Sequence, residues 1–364
     1  PPPPDTDAES DRTGTRSASQ REKTAGTRAH EIVAWSLEAR GNGVRSLSPF
    51  LYMQTSRILL LHIVTAITSL PPDVGLAMAS DDQQQQRPAA PLLAIATRIH
   101  LGHATRPPDD ATLRRMLTSF SSVASSVGAH RGVVAVDSRE RIEGYDLVSE
   151  VTSICKMLDE DALCNVASLE VLPVTPWGKF IPALNAIVAW AAGEGCDRLL
   201  LASAEVTLTS EVMGEMTDRL DGETTLVVGT RLQGHDHRSG TGEECVEVEL
   251  SGRTTPWNTC ALWNLPKLAL TGFQLVSEGL HTGPDGGSVE AGVEEAVTIA
   301  CLQRILGPER AVAKLVSIEG TSWEKDFGDD DGRREWHERK MKSKLQRAAA
   351  QLDLMGLRGT VIHC

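Results

Sequence analysis

From residue 91 onward the sequence predicts an α/β fold, an open mixed sheet flanked by helices. Two observations predict it. Apolar runs of strand length alternate with amphipathic segments of helix length, the pattern of βαβ units. Polar and charged residues stand just after successive strand runs, where the carboxyl edge of such a sheet gathers its ligands.

Ahead of that region, residues 1–52 open with PPPPDTDAESDRTGTRSASQREKTAGTR, which mixes both charge signs and is almost devoid of apolar side chains. Such a stretch cannot bury enough surface to offset its ordering entropy, so it reads as a disordered leader. No Met precedes Met53, and residues 53–79 have the three-part form of a secretory signal. Arg57 supplies the positive charge, Ile58 to Leu70 the apolar core, and Ala77-Met78-Ala79 the small-x-small cleavage pattern. On this reading residues 1–52 are an upstream extension rather than native protein. The apolar core also suits a buried helix or an uncleaved anchor, although it is short for a span of about 20 residues. Residues 80–90 are polar and contain Pro88, so they form a linker, and the folded domain 91–320 begins near Pro91.

Strands are expected at Leu92–Ile99, Gly132–Asp137, Ser168–Val174, Arg198–Ala202 and Thr225–Thr230, each a short apolar run. Between them Asp110–Ser126, Asp146–Leu158 and Phe180–Ala192 carry apolar residues at i, i+3 and i+4 and read as helices, the first with an acidic opening turn. After Thr230 the pattern changes. Cys245–Leu250 alternates Val and Glu like an exposed strand, and Trp257–Trp263 is apolar but irregular. A Gly-rich loop, GPDGGS, then leads to a helix Val289–Leu306 and a strand Ala313–Ile318. Residues 321–364 read as a charged loop and one helix, Arg333–Met355, which lacks sustained heptads and therefore packs as a solvated helix.

Composition narrows the function. A formal net charge of -13 argues against a protein that coats nucleic acid, because neutralising phosphates takes clustered Lys and Arg. No apolar run reaches the ~18 to 20 residues of a membrane-spanning helix, which excludes a multi-spanning membrane protein. The seven cysteines include no Cys-x-x-Cys, so no zinc or redox motif is indicated. Cys155, Cys196, Cys260 and Cys301 lie among apolar neighbours and read as buried thiols; in a secretory compartment some pairing leaves an odd thiol over.

At the strand ends stand Asp137, then Pro176-Trp177-Gly178-Lys179, Ser203-Ala204-Glu205 and Thr230-Arg231. A carboxylate there accepts hydrogen bonds from a nucleobase or ribose, and a Lys at a helix start adds a cation to the N-terminal dipole, which suits a phosphate. Each alone also reads as a cap or a solvated loop; their succession points to a site.

The order of these segments resembles the family 2 glycosyltransferases, inverting sugar transferases with the GT-A fold. Thr97-Arg98 matches the turn after that family's first strand, and Asp137 in GVVAVDS its nucleobase-contacting Asp. Gly178-Lys179, followed by Ala183-Leu184-Asn185, matches its Gly-Lys and Ala-Leu-Asn helix opening. Ser203 and Glu205 stand where its metal-holding Asp-x-Asp would be. The segment holding Trp257 and Asn258 and ending in Gly272-Phe273 matches the acceptor side, and Glu294-Glu295 the Glu-Asp motif whose Asp is the catalytic base. The resemblance implies a nucleotide-sugar donor, a hydroxyl acceptor, Glu295 or Glu294 as base, and Mn²⁺ or Mg²⁺ held on the diphosphate by Glu205. Ser203 removes one charge from that metal site, and Glu295 is longer than Asp by one methylene.

Two other readings stay open: a catalytically silent GT-A-like protein that binds a nucleotide or sugar, and a related nucleotidyltransferase. The latter needs a Gly-rich phosphate loop after the first strand, where TRIHLGHATRPP has a single Gly. His235-Asp236-His237 with Glu243 and Glu244 forms either a metal set or an exposed loop, and Asp329-Asp330-Asp331 with Arg333 and Arg334 either a lid or a solvated turn. Trp177 and Trp257 adjoin the ligand loops and suit stacking on a base or sugar, whereas Trp190 and Trp263 read as packing residues. The leader implies the secretory pathway, as a lumenal or secreted protein, or the cytoplasm if it is not a signal. Expression from Met53 in a eukaryotic secretory host should yield a product whose N-terminus is Ser80 or close to it. N-terminal sequencing that returns an intact Met53 on a cytosolic product removes the secretory reading.

Overall fold

A computed structural model describes residues 90–364 apart from 103, 162–167, 239–243, 282–287, 290 and 324–330. These residues fall in a unit spanning Arg87–Cys364. The leader, the signal-like segment and all but Ala90 of the linker lie outside the described residues, as do most of GPDGGS, Glu243, Asp329 and Asp330.

The first half alternates as expected: β1 (Leu93–Ile99), α1 (Asp110–Ser126), β2 (Arg131–Asp137), α2 (Leu147–Asp161), β3 (Leu169–Val174), α3 (Ile181–Gly193) and β4 (Arg198–Ala202). Then follow β5 (Val206–Thr207), α4 (Ser210–Arg219), β6 (Thr225–Thr230), β7 (Val246–Glu249), β8 (Cys260–Asn264) and the short α5 (Leu265–Leu268). Last come β9 (Leu280–His281), β10 (Ser288–Val289), α6 (Glu294–Leu306), β11 (Val312–Val316), β12 (Ser322–Trp323), α7 (Asp331–Lys342), α8 (Lys344–Met355) and β13 (Thr360–His363). Nine strands form one sheet in the order β3-β2-β1-β4-β8-β6-β11-β13-β7. All run parallel except β8, which lies antiparallel between β4 and β6, and β7, which is antiparallel to β13.

Both faces of the inner strands are covered, which is why β1, β2, β4 and β6 read as continuous apolar runs. In β1, Ala94 and Ala96 pack on the face covered by α3, α6 and α8, while Leu93, Ile95 and Ile99 face α1, α2 and α4. The small Ala side chains let the nearly all-apolar α3 lie close to the sheet.

Four expectations are corrected. Trp257–Trp263 is not irregular throughout, since its second half begins β8 near the middle of the sheet. The helix expected from Val289 begins at Glu294, because Ser288–Val289 pairs with β9 and the chain then turns through Gly292 and Val293 at positive φ. The tail helix Arg333–Met355 is two helices that meet at Ser343. Residues 321–364 are more than a loop and helix, because β13 enters the sheet beside β11.

β7 is the edge strand that its Val-Glu alternation foretells, with Val248 buried and Glu247 and Glu249 exposed. A disulfide, Cys245–Cys364, ties its start to the end of β13 across 119 residues. In the chain-entropy account, closing a loop of that length stabilises by at most about 4–5 kcal/mol. Dithiothreitol should therefore lower the chemical-denaturation midpoint of the wild-type chain but leave that of Cys245→Ser/Cys364→Ser where it is. An equal response in both proteins, or in neither, would show that the bridge does not hold this edge.

Candidate active site

The chain runs from β1 to β2 and β3 on one side and returns to β4 on the other, so the carboxyl ends of β1 and β4 flank the switch point where such sheets bind ligands. Thr97 is buried near the end of β1. Arg98 lies over the Phe180 ring, 5.8 Å from its centroid, with its guanidinium 3.9 Å from Glu294.

Glu294 and Glu295 open α6, directly after Val293 at φ 64° and ψ 36°. A β-branched residue in this left-handed region carries strain of order 1–3 kcal/mol. Burial holds it there: Val293 is only 4% exposed. The turn sends both carboxyls inward, where they are 7% and 5% exposed. Asn258, just before β8, bridges them. Its backbone amide donates to Glu295 Oε1 at 2.6 Å and its side-chain Nδ2 to Glu294 Oε1 at 3.2 Å. The indole of Trp263 donates to Asn258 Oδ1 at 2.9 Å, and since an indole N–H can only donate, this bond fixes which end of the amide faces Glu294. Burial, then the charge of Glu294, push the Glu295 carboxyl above the usual range, while Lys344 opposes both. Burial drives the Lys344 ammonium well below the usual lysine range, with Glu295 and Glu294 pulling the other way.

The residues expected to meet a donor gather at the same edge, but several are already engaged. Asp137 is buried, and Arg139 grips both its oxygens, Nε to Oδ1 at 2.8 Å and Nη2 to Oδ2 at 2.7 Å, with Arg141 at 3.5 Å. Burial alone would raise its pKa; the Arg139 hydrogen bonds and the charges of Arg139 and Arg141 outweigh it and hold the carboxyl low. Gly178, at φ 63°, turns the chain into α3, where the Glu278 carboxylate accepts the backbone amides of Lys179, Phe180 and Ile181. The α3 N-terminus thus carries an internal anion where a phosphate was expected, and Lys179 itself is exposed. Asn185 exchanges hydrogen bonds with the backbone of Phe273, at 2.7 and 3.0 Å, so it joins α3 to the loop after α5.

Ser203 and Glu205 follow β4 and are half-buried. The Glu205 amide meets Ser203 Oγ at 3.4 Å, and Glu205 Oε2 accepts the Trp323 indole N–H at 3.4 Å. This pair fits a divalent metal poorly, since Ser203 brings no charge and one oxygen of Glu205 is committed.

Trp257 is 1% exposed, so it does not offer a face to a ligand as expected. His235 stacks on it with centroids 3.6 Å apart, and Lys344 Nζ lies 3.2 Å from its ring centroid. Trp177 is likewise buried. His235 accepts the Leu232 amide at Nδ1 and meets the Thr255 carbonyl at Nε2, while burial, and then Lys344, lower its pKa to about 3. With both ring nitrogens bonded to backbone, His235 is a packing residue rather than a metal ligand. Sequence reading missed Glu278, Arg139 and Lys344. Arg139 was visible two residues after Asp137; Glu278 and Lys344 act on segments far from them in the chain.

No protein-family model and no curated protein matches the chain. Among solved structures it is similar to S. aureus TarS 1-349, at 13% identity over 57% of this chain and 54% of that one, TM-score 0.34. The same protein in complex with UDP-GlcNAc matches at 11% identity over 65% and 60%, TM-score 0.38. A mannose-1-phosphate geranyltransferase from Thermus thermophilus matches at 14% over 75% and 74%, TM-score 0.30. The match to TarS thus spans between 54% and 60% of its structures' length.

The three amide bonds to Glu278 amount to a charged helix cap. Glu278→Ala should lower the unfolding free energy by about 1–2 kcal/mol, and Glu278→Gln by less. Urea denaturation measures both; no loss in the Ala variant would mean that the cap contributes nothing.

Proposed function

We propose that this chain transfers a sugar from a nucleotide-diphospho-sugar to a hydroxyl acceptor, with inversion at the anomeric carbon. The observation that carries the reading is the buried Glu294-Glu295 pair at the switch point, bridged by Asn258. A carboxyl whose pKa is raised toward neutrality is a better base than an exposed one, yet still ionises at working pH. In the proposed reaction Glu295 takes the acceptor hydroxyl proton as the oxygen attacks the anomeric carbon. The bond from that carbon to the diphosphate oxygen breaks, and the diphosphate leaves with the electron pair. One displacement at one face gives inversion.

Glu205 offers Mn²⁺ or Mg²⁺ a single carboxylate, so the proposal includes only a shallow metal dependence. It also puts the acceptor in the secretory lumen, on the strength of the leader sequence alone. The silent binding-protein reading draws support from the place after β4, where a neutral Ser203 and a single, already engaged carboxylate, Glu205, stand for a metal-holding pair.

Sugar-nucleotide hydrolysis needs no knowledge of the acceptor and can be screened over uridine and guanosine diphosphate sugars. Glu295→Gln should cut the rate by about 10²- to 10⁴-fold while nucleotide binding persists. The wild-type rate should rise with pH through the neutral range as Glu295 loses its proton. Glu294→Gln removes the neighbouring charge that raises Glu295, so the rise should move to lower pH. Equal background rates in wild type and Glu295→Gln, with nucleotides still bound, would favour the binding-protein reading.

A further inference from the structure

At the carboxyl edge, α7 and α8 bring a group of cations against the acid pair. Lys340 and Lys344 lie within electrostatic range of Glu294 and Glu295, and Arg98 approaches Glu294 from β1. Arg347 fixes this placement. It is 3% exposed, donates to the Lys340 carbonyl at 2.7 Å and to the carbonyl of Ala291, and so locks the junction of α7 and α8 onto the loop that enters α6.

The Lys344 ammonium rests on the Trp257 face and, among the described residues, makes no hydrogen bond, although it carries three donors. Trp257 meets Trp323 edge-on at 6.3 Å, and the Trp323 indole bonds Glu205. Two packed rings thus lie between Lys344 and the place after β4 where a metal-holding pair was expected. That place has one carboxylate, already committed, and a neutral Ser203. A diphosphate leaving group needs positive charge beside it, and a metal is only one way of supplying it.

We propose that Lys344, with Arg98 behind the acid pair, supplies the cationic contact for the donor's diphosphate, so that diphosphate binding needs no divalent metal. The proposal rests on the transferase reading and names the group that would hold its leaving group. A compact ammonium accommodates phosphate oxygens as a point charge, without the paired geometry a guanidinium requires. The adjoining aromatic face holds the ammonium in place without using its N–H donors.

The test titrates inorganic pyrophosphate and uridine diphosphate calorimetrically into the full chain, with EDTA and again with Mn²⁺. Wild type should bind both in EDTA, and Mn²⁺ should change affinity by less than about threefold. Lys344→Gln should weaken both by about tenfold or more, and Lys344→Arg, which keeps the charge but brings a guanidinium that needs paired geometry, should recover only part of the loss. Thermal melts of the variants separate a lost contact from a lost fold, and the EDTA comparison on wild type stands without any variant. Binding by wild type only with Mn²⁺, or unchanged affinity in a folded Lys344→Gln, overturns the proposal and leaves the transferase reading in place. Failure of wild type to bind either ligand under both conditions overturns the two together.

Discussion

Two adjacent carboxylates buried at the start of one helix repel each other, and the groups that offset this repulsion tie the site to the sheet. Asn258 supplies a donor to each from the segment entering β8. Trp263, within β8, fixes the orientation of that donor. Arg98 reaches in from β1 and Lys344 from α8. Hydrogen bonds to the charged form and a nearby cation lower a carboxyl's pKa, whereas burial and a like charge raise it. At Glu295 the raising effects prevail, which keeps a proton close to hand beside the switch point.

That arrangement also explains the unusual turn before α6. For both carboxyls to point under the sheet edge, the helix must begin abruptly, and it does so through Gly292 at φ 122° and Val293 at φ 64°. Gly292 leaves room for Arg347, which a side chain there would strike. Val293 brings apolar packing that glycine could not, as part of the core on the face covered by α3, α6 and α8. Strain at one residue is thus offset by burial of the same residue.

Much of the sheet was legible because strands buried on both faces read as unbroken apolar runs, and β1, β2, β4 and β6 are of that kind. β8 and β13 were not, since Cys260–Asn264 and Thr360–His363 are short and lie among residues of mixed character. Their strand identity comes from pairing with β4, β6 and β11 rather than from local pattern. The site divides the same way. Asp137, Arg98 and the two glutamates stood out by their positions after strands or by motif. What each carboxylate touches was hidden, because the partners come from elsewhere in the chain: Glu278 caps a helix that begins 97 residues before it, and Lys344 comes from a helix that reads in sequence as merely solvated. The buried state of Trp257 was hidden for the same reason, since its two faces are covered by His235 and Lys344.

The charge distribution sets one further constraint. The chain carries a formal net charge of -13, yet cations collect at the carboxyl edge of the sheet. At physiological ionic strength the Debye length is about 8 Å, so the acidic surface is screened beyond that distance while the buried ammonium of Lys344 is screened much less. An anionic ligand would therefore meet weak repulsion at a distance and attraction only at contact. In that regime electrostatic steering adds little to the association rate, and affinity depends on the few contacts made at the site itself. Added salt then acts on two opposed contributions, relieving the distant repulsion while weakening the local attraction. The net salt response is shallower than for a protein whose whole surface draws anions in.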